Sequence, residues 1–262
     1  MRNLLAADRY RYRKDILMKV ALILVVVFAC FTCGLYFVLA KLTEDVDSAA
    51  VENILCGRYL YGATFSIGSD MGLIIPIFAG AIVCKDFSMG TIRNKIIRGY
   101  GREQIFLSHF LTSILFGGMI YVLYALAQLG LGSLLLGYGA AFDGEELLFL
   151  VVSMLTGILT YAAMCALVTM IATATGSMGL SIVLYIAFTL GLSIVQGIVS
   201  IIPNVPKIIT KIMEYLPGNI AYTVTEGSKE WAEYGKSMLM SAILILVFGL
   251  IGMTVFRKKD QK

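Results

Sequence analysis

Residues 147–202 read LLFLVVSMLTGILTYAAMCALVTMIATATGSMGLSIVLYIAFTLGLSIVQGIVSII, and this stretch contains no charged side chain. A soluble protein cannot bury so long an apolar run in one core, whereas a bilayer needs about 20 apolar residues for each helical crossing. The run is long enough for two crossings, and the small polar residues at 173–177 mark a turn between them. The stretch therefore predicts an all-α membrane protein.

The rest of the chain has the same character. Hydrophobic residues make up 59% of the sequence and charged residues 15%, against about 25% charged residues in ordinary soluble domains. We expect a single transmembrane domain, 1–262, because no composition shift divides the chain. The six predicted spans are about 20–40, 62–83, 110–137, 147–172, 178–202 and 238–256.

The distribution of positive charge predicts the orientation of the spans. Most of the 21 Lys and Arg residues lie before the first span, between the second and third, or after the sixth. Cytoplasmic segments carry the excess of Lys and Arg, so both termini are expected in the cytoplasm. The net charge of +4 reflects this asymmetry and gives no reason to expect nucleic-acid binding. The predicted location is the cell membrane, most simply a bacterial plasma membrane.

A basic segment, 84–104, separates the second span from the third. Asp86 and Ser88 are candidate N-caps for a short helix along the inner membrane surface, which Gly99 and Gly101 would end. A helical wheel places four apolar side chains on the side facing the spans and three polar ones opposite them. The apolar set is Met89, Ile92, Ile96 and Ile97, and the polar set is Thr91, Lys95 and Arg98.

The segment 203–237 is expected outside the cell. It contains three of the four prolines and an apolar helical face that Pro217 and Gly218 interrupt after Leu216. We expect short re-entrant helices that dip into the outer leaflet before the sixth span. The alternative is an amphipathic helix that lies flat in an ordinary extracellular loop.

Catalytic motifs are scarce. The single histidine, His109, argues against a histidine metal site or a Ser-His-Asp arrangement. Gly235-Lys236-Ser237 resembles the end of a phosphate-binding loop, but Glu230 stands where the first glycine belongs. We expect no enzyme activity, no metal and no cofactor in this chain. Cys30 and Cys33, a CxxC in the first span, are interpreted as packing residues.

The basic segment resembles the signature of the membrane subunits of type-2 ABC exporters. The resemblance rests on Asp86, on Gly90-Thr91-Ile92-Arg93 and on Arg102 ahead of the third span. Residues 1–19 look like that family's basic interfacial helix, and the six-span layout is similar. Asp86 replaces a commoner Glu, and His109 stands where many members have Lys.

The resemblance implies a permease subunit that moves a hydrophobic or amphipathic substrate (peptide, lipid or toxin) outward. It implies a second copy or a homologous permease, membrane lipid, and two separate ABC ATPase subunits that bind ATP and Mg. The implied functional residues fall into three groups. The ATPase-coupling residues are Asp86, Gly90, Thr91, Ile92, Arg93, Lys95, Ile96, Arg98 and Arg102, the interfacial helix contributes Arg9, Arg11, Arg13 and Lys14, and the outer segment contributes Leu216, Pro217 and Gly218.

A second hypothesis needs no ATPase. Asp70 is the one acidic residue within the predicted second span, and intramembrane acids are candidates for a functional role. In a channel or secondary carrier, Asp70 would handle the transported ion. Replacing it with asparagine would then abolish transport.

Overall fold

The computed structural model of the chain describes residues 2–43, 54–66, 71–201, 224 and 230–258. Within these residues every regular element is an α-helix. The helices are α1 (Arg2–Lys14), α2 (Ile16–Leu42), α3 (Gly57–Ala63), α4 (Met71–Ser88), α5 (Thr91–Ile97), α6 (Arg102–Leu136), α7 (Gly144–Thr175), α8 (Met178–Ile201) and α9 (Trp231–Lys258).

Six of these helices, α2, α4, α6, α7, α8 and α9, are long and apolar enough to cross a membrane. The prediction of an all-helical chain with six such helices is therefore confirmed. Several helices extend beyond the predicted spans, and α6 already begins at Arg102. Apolar runs mark only the lipid-level part of a helix, because backbone hydrogen bonding continues into the polar residues at its ends.

The apolar run expected to form the second span is divided between two helices. α3 ends at Ala63, and α4 runs from Met71 to Ser88 instead of from 62 to 83. A turn follows α3, and the Tyr161 hydroxyl of α7 donates a hydrogen bond of 2.8 Å to the carbonyl of Thr64 in that turn. The helix end is thus stabilised by a residue distant in sequence, and hydropathy alone did not indicate it.

α7 lies at the centre of the bundle, packed against α4, α6, α8 and α9. Its contact with α6 depends on close approach at glycines. A Cβ atom added to Gly157 would lie 2.0 Å from the hydroxyl oxygen of Tyr121, and the Tyr121 ring stacks on Tyr161 with centroids 4.3 Å apart. α2, α8 and α9 lie at the periphery and expose most of their apolar side chains.

Gln128 connects two spans. Its Oε1 accepts a hydrogen bond of 3.1 Å from the Cys33 thiol of α2, and its Nε2 donates to the hydroxyl of Tyr124. Polar side chains buried in membrane helices are stabilised by such contacts between helices. The contact also gives Cys33, half of the CxxC, a packing environment between α2 and α6.

Pro76 interrupts the backbone hydrogen bonding inside α4. Proline has no N–H, so the carbonyl four residues earlier, that of Gly72, loses its helical partner. The hydroxyl of Tyr185 in α8 donates a hydrogen bond of 2.9 Å to that carbonyl. The contact satisfies a buried acceptor that lipid could not satisfy and joins α8 to α4.

Replacing Tyr185 with phenylalanine is expected to lower the free energy of unfolding by about 1–3 kcal/mol, because the Gly72 carbonyl becomes unpaired. In a Pro76→Ala background the new backbone N–H can bond to Gly72, so the same change should cost less. Unfolding in detergent of the two single variants and the double variant measures this coupling. Equal costs of Tyr185→Phe in both backgrounds would contradict the role given to Pro76.

Candidate functional site

The basic segment between α4 and α6 contains the short helix α5, but its boundaries differ from the predicted ones. Asp86 and Ser88, predicted as N-caps, belong to the last turn of α4. The N-cap of α5 is Gly90, with φ of 66° in the left-handed region that favours glycine. After the helix, Gly99 has φ of 85° and ends it as predicted, while Gly101 is the N-cap of α6.

The buried side of α5 also differs from the prediction. Ile92 is buried in an apolar cluster with Leu4 of α1, Phe106 of α6 and Phe256 of α9, and Ile96 packs against this cluster. Met89 and Ile97, predicted to face the spans, are 66% and 73% exposed. Lys95, predicted to face the cytosol, is instead 8% exposed. The wheel was wrong for Lys95 because burying a cation requires partners that other helices supply.

The principal partner of Lys95 is Asp8 of α1. The Lys95 Nζ lies 2.6 Å from Asp8 Oδ1, and the Ser108 hydroxyl donates a 2.6 Å hydrogen bond to Asp8 Oδ2. Asp8 is 2% exposed and Ser108 is fully buried. One carboxylate therefore joins α1, α5 and α6.

His109 of α6 lies between this ion pair and Asp86. Its Nε2 is 3.2 Å from Lys95 Nζ, and its Nδ1 is 3.2 Å from Asp86 Oδ2. An ammonium group only donates hydrogen bonds, so we assign Nε2 as the acceptor and place the proton on Nδ1, which faces the carboxylate. His109 is then a neutral bridge between a cation and an anion, and is 1% exposed.

Asp86, at the end of α4, completes the cluster through an ion pair with Arg11 of α1. Beside it, Lys85 Nζ lies 2.7 Å from Asp15 Oδ2, between α4 and the start of α2. We call Asp8, Arg11, Asp86, Lys95, Ser108 and His109 the buried charge cluster. Its two carboxylates are balanced by two cations, as buried charges require.

The electrostatic environment of Asp8 favours its charged form. Burial alone raises the pKa of this carboxyl, but the hydrogen bonds from Lys95 and Ser108 and the positive charge of Lys95 outweigh burial and lower it below its usual value. Asp15 is less buried, and the hydrogen bonds from Lys85 and the Leu17 N–H lower its pKa despite a desolvation cost. Both residues are therefore held as carboxylates at neutral pH.

The opposite side of α5 is exposed. Arg93 and Arg98 lie on it, together with Asn94 and the exposed Met89 and Ile97. Charged and apolar side chains thus share one face of a helix whose other face is fixed to the bundle. We call this set the outward face of α5. Such a mixture of apolar and arginine side chains is typical of protein interfaces.

The remaining predicted residues lie elsewhere. Arg102 donates a 2.9 Å hydrogen bond to the carbonyl of Arg257 at the end of α9, away from the buried charge cluster. Thr91 is half-buried at the start of α5. Of the four predicted α1 residues only Arg11 joins the cluster, and the other three are exposed. Asp70, Leu216, Pro217 and Gly218 lie outside the described residues.

A further ion pair, outside the buried charge cluster, lies near the far end of α6. The Arg58 Nε of α3 is 2.7 Å from Glu146 Oε1, and the Tyr138 hydroxyl donates a 2.6 Å hydrogen bond to the same carboxylate. The guanidinium also lies 4.7 Å from the centroid of the Phe149 ring. This pair neutralises an acid in the first turn of α7 and fixes α3 to the bundle.

The sequence interpretation passed over Asp8 and Ser108 and assigned His109 no role in a site. One signal was available, since Asp8 and Asp15 are the only acids among the first 43 residues of the chain. Asp8 also lies four residues from Leu4 and four from Tyr12, so all three share one helical face, and all are buried. Within the described residues, no group of three or more His, Cys, Asp and Glu side chains is arranged to hold a metal ion.

Comparison with known proteins identifies the family of this chain. No curated protein matches it. A family model described as "Protein of unknown function (DUF2705)" matches residues 58–261, which include α3 except its first residue, all of α4 to α9, and most of the buried charge cluster. Because the match extends over more than half of the sequence, the chain belongs to the DUF2705 family.

Proposed function

We propose that this protein is the membrane-spanning permease subunit of an ATP-driven exporter, and that the outward face of α5 docks on a separate ATPase subunit. The transported substrate is hydrophobic or amphipathic, because the spans present few charges to recognise a polar solute. A second copy of the chain or a homologous permease would complete the transport path. ATP and Mg would be bound by two ATPase subunits.

The observation that carries this proposal is the two-sided construction of α5. Its outward face exposes Arg93 and Arg98 beside Met89 and Ile97, while Ile92 and Lys95 hold its other face to the bundle. A helix that served only as a connection would not require a buried ion pair to a third element. The sequence resemblance of residues 86–102 to type-2 ABC exporters supports the same assignment.

The proposed coupling follows the contacts of α5. An ATPase that closes on nucleotide would displace the outward face, and Lys95 would transmit this displacement to Asp8 of α1. The Ile92 cluster would transmit it to α6 and α9, and the chain between α4 and α5 would transmit it to Asp86. Since packed interfaces change by discrete rearrangement and not by continuous deformation, a small movement of α5 can shift whole spans.

Co-expression with the neighbouring reading frame, which we expect to encode the ATPase, tests the proposal. We expect the ATPase to co-purify with the chain and its hydrolysis rate to change when the two are reconstituted in lipid. The control is the same ATPase with a chain in which Arg93 and Arg98 are replaced by glutamate. If no ATPase co-purifies and Asp70→Asn abolishes ion flux, the chain is a channel or secondary carrier.

A further inference from the structure

The exposed face of α1 is strongly basic. Arg9, Tyr10, Arg13 and Lys14 lie on it, and Tyr10 is 66% exposed. Lys14 Nζ lies 5.9 Å from the centroid of the Tyr10 ring. Residues four apart share a helical face, so the pairs 9 with 13 and 10 with 14 form one continuous surface.

No acid within residues 2–43 compensates these charges. In residues 2–43 the acids are Asp8 and Asp15, and both are engaged on the other side. Asp8 is buried against Lys95 and Ser108, and Asp15 binds Lys85 and the N–H of Leu17. Lys19, in the first turn of α2, is also exposed. The cations of this face are therefore available to an external anion.

The position of the face relative to the apolar surface identifies that anion. Only Asp15 separates α1 from the spanning helix α2. Along α2, Ile16, Val20 and Ile23 are 67%, 39% and 63% exposed, as side chains in contact with acyl chains are. The basic face thus lies at the depth where an exposed apolar surface begins, which is the headgroup level of a bilayer. Basic residues next to a span attract anionic lipid.

We propose that the exposed face of α1, formed by Arg9, Tyr10, Arg13 and Lys14, is a docking surface for anionic phospholipid headgroups. The cations bind the headgroup phosphates, and Tyr10 lies among the headgroups as an aromatic ring with a polar edge. The buried side of α1 carries Asp8, which binds Lys95 of α5. Lipid bound to α1 therefore fixes the helix that positions α5.

Lipid selectivity of the full chain tests this surface. The purified chain is equilibrated with an equal mixture of phosphatidylglycerol and phosphatidylcholine, and the retained lipids are counted by native mass spectrometry. We expect a preference for phosphatidylglycerol that falls about tenfold in Arg9→Gln/Arg13→Gln, since each cation near the surface contributes to the attraction. Arg9→Lys/Arg13→Lys should keep the preference, because the charge is retained.

The matched control is Lys236→Gln/Lys258→Gln, which removes two exposed cations from the ends of α9. Its lipid preference should fall less than that of the α1 variant, because these two cations lie near opposite ends of α9 and form no continuous basic surface. The proposal is overturned if the control loses the preference equally, or if the α1 variant keeps it. No ATPase takes part in the lipid measurement, so this result is independent of the proposed export function.

Discussion

Replacing Lys95 with methionine is expected to lower the free energy of unfolding by about 3–5 kcal/mol, because it leaves Asp8 charged and buried without its closest cation. The side chain of Lys95 is 10% exposed and that of Asp8 2%, so water cannot replace the lost partner. The hydroxyl of Ser108 remains as an uncharged donor to Asp8, and Arg11 Nη2 remains 3.8 Å from Asp8 Oδ1, but that guanidinium is already paired with Asp86. Unfolding in detergent at pH 7.5 measures the loss.

Two variants control this result. Lys85→Met breaks the ion pair with Asp15 at the same end of the bundle, but the Lys85 side chain is 30% exposed, so its loss should cost about 1 kcal/mol or less. Asp8→Leu/Lys95→Met removes both charges and should be much less destabilised than Lys95→Met alone. If Lys95→Met is no worse than Lys85→Met, the buried pair does not fix α5.

The stability that Lys95→Met loses should also depend on pH. In the wild type the pKa of Asp8 is lowered, so the stability it contributes is present above the unfolded pKa of about 4 and is lost as pH falls through the lowered value. In Lys95→Met the burial that raises this pKa is no longer outweighed by the ammonium, and Asp8 can accept a proton at a higher pH. The difference between Lys95→Met and wild type should therefore shrink as the pH is lowered from 7.5 towards 5.

Replacing Arg93 and Arg98 with glutamate is expected to lower the stimulation of the proposed partner ATPase by at least about tenfold. Both side chains are exposed on the outward face of α5. The introduced glutamates would repel acidic residues of the partner that lie opposite them, at a cost of several kcal/mol. Since neither arginine belongs to the buried charge cluster, the thermal midpoint of the chain should not change. ATP hydrolysis and export by the reconstituted complex are the measurements.

The matched control for this charge reversal is Lys236→Glu/Lys258→Glu, which changes the net charge by the same amount on exposed residues of α9. Stimulation and export should persist in this control. Unchanged ATPase stimulation and unchanged export in Arg93→Glu/Arg98→Glu would contradict docking through α5. A lowered thermal midpoint would instead indicate that the arginines stabilise the fold.

Sequence reasoning predicted the spans more reliably than the site. A run such as 147–202 can hardly be anything but membrane helices, because it is predominantly apolar and contains no charged residue. The helix in the basic segment was also predicted, because Gly99 and the spacing of Ile92 and Ile96 are local signals. Lys95 was assigned to the wrong side, since the partners that bury it, Asp8 and His109, lie on other helices and do not appear in a helical wheel.

The sequence by itself determined that this chain is a bundle of apolar helices with a basic segment between two of them. These properties follow from composition and periodicity, because the free energy of desolvation of each side chain and backbone group depends mainly on that residue itself. Only the tertiary structure decided that Asp8, Lys95, His109 and Asp86 form one cluster, and that Tyr185 satisfies the carbonyl left unpaired by Pro76. Buried polar groups need partners at specific distances, and those partners come from helices far apart in the chain.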